Sequence, residues 1–405
     1  MKPKSAQATL LWMSVLVTSF VGNAHAVSKY QILHHFLGEP AEVPTSGLVA
    51  DSAGNLYGVA DSAPGSCGKT VGCGVVFKLT RGSDGKWSYS IIHIFKGWDG
   101  SQPSGGLIFD SSGNLYGTTF YGGANGTGAV FELSPSGDKW QEKVLYSFGN
   151  SSGDVQNPGG PLTFDTNGNL YGPAVNGVYN DGGIFELKPS GGTWTEVTLH
   201  TFTGSDGHAP FNVVIDSAGN LYGATVAGGQ SDDGVVFELT PNGGSWTETV
   251  LHDFTGGADG ALPQGVIFDS AGNLYGTAEW GGDSNCNPPN GCGMVFKLTP
   301  SMGNWTLSKL HEFGGVNGAF PQGNLILDSS GTIYGTTLIG GKYNYGVVFK
   351  LSKSGSGWIE AVLHSLAGIG ANPNPGLVRD QKDVLYGTTS NVGNGGDGVV
   401  FSLAP

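Results

Sequence analysis

The chain predicts an all-β fold, a closed seven-bladed β-propeller of four-stranded blades, with the ring closed by the N-terminal strand pairing in the last blade. Three observations carry this. A Leu/Ile-Tyr-Gly triplet recurs at Tyr57, Tyr116, Tyr171, Tyr222, Tyr275, Tyr334 and Tyr386, at intervals of 51 to 59 residues. The flanking blocks recur with it, and beyond the first 26 residues no segment shows sustained helical periodicity. The two chain ends supply complementary parts of one repeat. Seven copies of a unit too small to bury its own core close naturally into a ring.

Residues 1–26 are set apart. Lys2 and Lys4 make a basic start, Leu10 to Val21 is apolar, and Ala24-His25-Ala26 is a small-x-small cleavage site. This reads as a secretory signal peptide rather than a membrane anchor, because the apolar run is too short to span a bilayer. The propeller is expected over 27–405, secreted or periplasmic, as a monomer with no membrane span. Without Lys2 and Lys4 the chain holds 16 basic and 32 acidic residues, a net charge of −16. That balance disfavours nucleic acid and anionic membrane surfaces as partners. The 72 glycines fall at repeat-register positions and therefore mark turns.

Residues 263 to 313 illustrate the repeat. Gly265-Val266-Ile267-Phe268-Asp269 is a short apolar run, strand A. Ser270-Ala271-Gly272-Asn273 is turn chemistry, with Asp269 as its cap. Leu274 to Thr277 is strand B, Gly293 to Leu298 strand C, and Trp305 to Phe313 strand D, whose polar alternation suits an exposed outer strand. A–B and C–D turns are tight and share one face. B–C and D–A loops are long and share the other, with proline repeatedly preceding strand A, as at Pro210, Pro263 and Pro321. The chain stops at Pro405, where other repeats turn from C into D, and Tyr30 to Phe36 matches a D strand. Ring closure between them removes two open sheet edges.

Cys67 and Cys73 precede strand C of the first repeat, and Cys286 and Cys292 precede that of the fifth. The same C-x5-C spacing in an exported chain reads as two local disulfides. Closing so short a loop contributes about 2 kcal/mol. A metal site is the rival reading, but the pairs lie in non-adjacent repeats and bring no histidine cluster. No metal and no cofactor is expected.

The Asp-Ser-x-Gly-Asn-Leu-Tyr-Gly-Thr and Gly-Val-Val-Phe-x-Leu-x-Pro blocks closely resemble the GloVer tandem repeat of exported bacterial "choice-of-anchor" proteins. The resemblance covers nearly all of 27–405. It implies export and a repeat architecture, and brings no catalytic residues with it. Gly54-Asn55-Leu56-Tyr57 with Ala60-Asp61 is similar, more weakly, to NHL-type propellers.

A residue found at one place in most repeats is there to build the repeat. This removes the D-strand tryptophans Trp87, Trp140, Trp194, Trp246, Trp305 and Trp358, the seven triplet tyrosines, and the strand-C phenylalanines. They are expected to fill the space between neighbouring sheets. It also removes the turn aspartates and the D-strand histidines His34, His93, His200, His252, His311 and His364. Strand D lies roughly 14 Å further out than strand A, too far around the ring for neighbouring histidines to share zinc. A repeated hydrogen bond within each blade is the expected role.

Trp98 in the D–A loop entering blade 2, Tyr121 in the B–C loop of blade 2 and Trp280 in the B–C loop of blade 5 survive the subtraction, with Tyr343, Tyr345 and His208 as weaker survivors. Exposed aromatics over Gly/Asn-rich loops suit the apolar faces of sugars or a partner's side chains. The expected function is a binding or scaffold module, with an extracellular glycan or protein as partner on the long-loop face. The alternative is a propeller enzyme of hydrolase, lyase or lactonase type with its site at the axial channel mouth. No catalytic residue is assigned, since Asp99, Asp206, Asp259 and Asp283 are scattered and largely recur with the repeat.

Overall fold

The computed structural model describes residues 29–36, 43–61, 73–150, 153–177, 179–368, 370–391 and 398–404. The expected leader over 1–26 lies outside them. Described residues form strands and no helix, so none is long and apolar enough to cross a membrane as a helix.

Seven antiparallel sheets make seven blades. In blade 5, strands A to D are Ala261–Phe268, Leu274–Trp280, Met294–Ser301 and Asn304–Glu312. Strand A starts earlier than the apolar run suggests, and Pro263 sits inside it, opposite Ala278. A proline is tolerated there because strand A is the edge of its sheet and need not donate outward. In blades 1, 3 and 7 strand A is broken in two, as at Val43–Pro44 and Val49–Ala50. Blade 7 combines Ala371–Pro373, Val378–Arg379, Leu385–Asn391 and Val399–Ala404 with the N-terminal strand Lys29–His35. That strand pairs antiparallel with the last one, from Lys29↔Ala404 to His35↔Val399, which closes the ring as expected.

The core is distributed among seven hydrophobic clusters, one at each blade interface. The triplet tyrosine of one blade packs edge-on against the D-strand tryptophan of the next, as in Tyr57–Trp140, Tyr222–Trp305 and Tyr275–Trp358. A phenylalanine just after strand D meets the strand-C phenylalanine of the next blade, as in Phe95–Phe131 and Phe254–Phe296. These are the inter-sheet fillers that the repeat pattern implied.

The A–B turn is a hydrogen-bonded box. Asp269 Oδ1 accepts from the Ala271 and Asn273 amides, and Oδ2 accepts from Asn273 Nδ2 and the Tyr275 hydroxyl. Burial tends to raise the Asp269 pKa, but these four donors outweigh it and hold the carboxyl below its ordinary range. The same set recurs at Asp51 and Asp165. The turn aspartates and triplet tyrosines are thus one structural device.

The A strands line a central cavity of about 420 Å³, formed by Thr45–Leu48, Ser104–Leu107, Gly159–Pro161, Phe211, Asn324–Leu325 and Pro375–Leu377. Glycine is required where these strands crowd: a Cβ on Gly160 would collide with the Phe211 carbonyl. Buried Asn212 ties strand A of blade 4 to those of blades 5 and 6. Its amide donates to the Val266 carbonyl and to Asn324 Oδ1 at 3.0 Å each, and Oδ1 accepts from the Val266 amide. The lining offers hydroxyls, one carboxamide and backbone, and no titratable side chain.

Candidate functional site on the long-loop face

Antiparallel strand order puts every B–C and D–A connection on one end of the ring. Trp98, in the D–A loop from blade 1 to blade 2, is 63% exposed, and Tyr121, at the end of strand B in blade 2, is 47% exposed. Their segments touch: the Gly123 amide donates to the Gly97 carbonyl at 2.9 Å. Phe120 supports Tyr121 edge-on at 4.8 Å. The structure therefore brings Trp98 and Tyr121 onto adjoining loops. It does not bring Trp280 to them. Trp280 ends strand B of blade 5, pairs with Ala261 and is half-buried. Tyr345 is also half-buried, whereas Tyr343 is exposed with the Lys342 ammonium 4.9 Å from its ring centre.

Tyr179, in the B–C loop of blade 3, is as exposed as Trp98; sequence subtraction passed it over. Trp98, Tyr121, Tyr179 and Tyr343 are the strongly exposed aromatic side chains among the described residues. All four stand on the long-loop face. Nearby, His208 Nδ1 lies 2.8 Å from Asp181 Oδ1, an out-of-register pair linking blades 4 and 3.

The histidine ring departs from expectation. The hydrogen bonds do not stay within each blade; they reach the loop leading into the next one. His200 Nε2 meets Asp206 at 3.1 Å, His252 approaches Asp259 at 3.3 Å, and Asn317 Nδ2 donates to His311 Nε2 at 2.9 Å. Tyr146 substitutes by donating to Asp154. At the ring closure, His34 stacks on Tyr89 of blade 1 and Tyr30 stacks on His364 of blade 6. The loop aspartates are thus partners of the ring as well as turn residues. The physical reason is that the loop folds back over strand D before descending to the axis.

Facing these pairs from the next blade is a residue two positions after its D-strand tryptophan: Glu142, Glu196, Glu248 or Glu360, with Tyr89 and Leu307 at the other two, and Tyr30 at the equivalent place in blade 7, whose D strand has no tryptophan. Burial pushes Glu142 up to about 7, with Asp99 adding to the effect and His93 and Lys96 opposing it. Burial pushes Glu248 up to about 7 as well, aided by Asp206. Burial lowers His200, against the pull of Asp206. The recurrence of Glu at this position was the signal available in the sequence.

Glu248 gives a pH prediction. Its folded pKa lies above the unfolded value, so its stabilising contribution is complete below about 4.5 and is lost as pH rises through 7. Glu248→Gln, always neutral, is expected to match wild type at pH 4 and to exceed it by about 1–2 kcal/mol at pH 8, after discounting for partial exposure. Denaturant unfolding at both pH values checks this, and an equal difference at the two would refute it. His200, present in both proteins, cancels in the comparison.

The Cys286–Cys292 disulfide closes the B–C loop of blade 5, with Cα atoms 5.5 Å apart. Cys73 is disulfide-bonded, while its expected partner Cys67 lies outside the described residues.

Seven four-stranded blades, joined by aromatic interfaces and closed by strand exchange between the termini, define a repeat-built β-propeller. The chain belongs to the Gloeobacter/Verrucomicrobia repeat family, which matches residues 44–287 and 248–405. No curated protein matches the sequence. Among solved structures it is similar to a polysaccharide lyase of family PL25, an ulvan lyase bound to -[GlcA(1-4)Rha3S]-, with TM-score 0.54 and 11% identity over 92% of this chain and 95% of that one. It is also similar to the extracellular domain of a protein assigned as a one-component system from B. thetaiotaomicron, with TM-score 0.50 and 13% identity over 93% of this chain and 40% of that one. A third similarity is to a protein assigned as an oxidoreductase (glucose dehydrogenase) from Thermus theromophilus, with TM-score 0.46 and 16% identity over 93% and 100%. At such identities the likeness concerns the fold alone.

Proposed function

We propose that the protein is an exported binding module that takes an extracellular glycan chain on its long-loop face. The observation that carries this reading is the gathering of Trp98, Tyr121, Tyr179 and Tyr343 on that one face. Flat rings over loop backbone offer stacking surfaces to the C–H faces of sugars at little cost in side-chain entropy. The face also carries Asp181, Asp206, Asp232, Asp233, Asp259 and Asp283 against few cations, so a neutral glycan suits it better than a sulfated or uronic one. Export agrees with the disulfide-bonded cysteines.

A polysaccharide array probed with residues 27–405 tests this. Trp98→Ala/Tyr121→Ala is expected to lose at least about tenfold in affinity, equivalent to about 1.4 kcal/mol or more. Retention of all wild-type binding by that variant would sink the reading, as would a blank array.

A further inference from the structure

We propose that His93, Asp99 and Glu142 form a divalent-cation site, best matched to Zn²⁺, that clamps blade 1 to blade 2 beneath Trp98. One donor atom from each residue lies within 4.8 Å of the other two, and this is the one such set among the described residues. Asp99 is 1% exposed and His93 is largely buried. His93 Nε2, Asp99 Oδ2 and Glu142 Oε1 are all buried without a hydrogen-bond partner. His93 Nε2 does approach Asp99 Oδ2 at 3.2 Å, but the contact lacks the geometry of a hydrogen bond. Three orphaned polar atoms pointing at one another are costly unless something satisfies them together.

The other interfaces serve as internal controls. At the interface of blades 3 and 4 the same residue types occur as His200, Asp206 and Glu248, but His200 makes its hydrogen bond to Asp206 and only Glu248 is left with an orphaned oxygen. At blades 4 and 5 the third position is Leu307, and at blades 5 and 6 the aspartate is replaced by Asn317. The repeat thus supplies a frame for three donors, and at blades 1 and 2 it brings all three together.

One imidazole and two carboxylates suit Zn²⁺, whose ligand distances of about 2.0–2.2 Å require these side chains to close by roughly 1 Å. A water would complete the tetrahedron. Asp99 is already oriented, since its Oδ1 accepts from the Lys96 amide at 2.7 Å. Trp98 is its neighbour in the chain, so a bound cation would hold the loop that presents this ring. The cation site stands independently of any glycan.

The test is calorimetric titration of EDTA-treated protein with ZnCl₂, with MnCl₂ and CaCl₂ in parallel. Zn²⁺ is expected to bind at one site per chain and to raise Tm by about 3 °C at a free concentration one hundred times Kd. Glu142→Gln and His93→Gln should each weaken binding about tenfold or more, while Glu248→Gln leaves it unchanged. Should His93→Gln fold poorly, the near-isosteric Glu142→Gln carries the test, with its Tm in EDTA as the folding check. The proposal is overturned by an absence of Zn²⁺ binding in the wild type. Binding equally strong in Glu142→Gln would also overturn it, as adventitious. Stabilisation of cation-free Glu142→Gln at pH 8, with no Zn²⁺ effect on the wild type, would identify a shared proton instead.

Discussion

Deletion of residues 27–36 is expected to leave a propeller that unfolds far more easily or aggregates, although it removes only one strand of the outermost layer. That strand touches three blades. It pairs with Val399–Ala404 of blade 7, Tyr30 stacks on His364 of blade 6, and Phe36 packs on Phe77 of blade 1 at 5.3 Å. Phe36 is 1% exposed, and its amide donates to the Gly398 carbonyl. Phe36→Ala alone should cost about 3–5 kcal/mol, or about 4–6 °C in Tm for a chain of this length. Full deletion adds an unpaired strand edge at Val399–Ala404, a template for association. Calorimetry of both variants checks this, and a Tm within about 1 °C of wild type for Phe36→Ala would contradict it.

Gly234→Ala is expected to rank beside it. Gly234 precedes strand C of blade 4 with φ +90°, and an added Cβ would run into the Thr225 carbonyl and come within 2.6 Å of Pro263 Cδ in blade 5. The left-handed backbone and the clash act together, so a loss of about 3 kcal/mol or more is expected. The same glycine–proline joint recurs as Gly74–Pro103, Gly128–Pro158, Gly182–Pro210, Gly293–Pro321, Gly346–Pro373 and Gly398–Pro44. Denaturant unfolding of Gly234→Ala beside Gly303→Ala, a turn glycine with φ +84° and open space around it, separates the steric part from the backbone part. Equal losses in the two would remove the joint from the account.

These joints mark what the sequence could and could not reveal. Gly-Val-Val-Phe and the recurring proline were both visible as repeat features, and so were the four strands and the closure by Tyr30 to Phe36. That the glycine of one blade meets the proline of the next was not visible, because contact between repeats leaves no spacing in the chain. Just before six of these seven prolines, Gln102, Asn157, Ala209, Leu262, Phe320 and Asn372 have positive φ, Val43 before Pro44 being the exception. Their amides donate back to the preceding blade, as Gln102 does to the Cys73 carbonyl and Leu262 to the Asp233 carbonyl. No shared residue type announces that conformation.

The candidate site was legible to a similar depth. Subtracting the repeat singled out Trp98 and Tyr121, which are exposed on the long-loop face, together with Trp280, which the strand pairing half-buries in blade 5. It discarded His93 and Asp99 because each recurs, whereas their meeting with Glu142 depends on how two blades dock. Periodicity identifies what builds a blade. It is silent on a recurring residue that gains a second role at one interface.

The long-loop face is the proposed binding surface. The most direct measurement is a polysaccharide array probed with wild type, with Trp98→Ala/Tyr121→Ala/Tyr179→Ala, and with a control on the tight-turn side and outer edge, Met302→Ser/Ile359→Ser, where both side chains are well exposed. Loss of binding in the first variant and full retention in the second is the predicted result. Loss in the second alone, equal binding by all three proteins, or a blank array would contradict it.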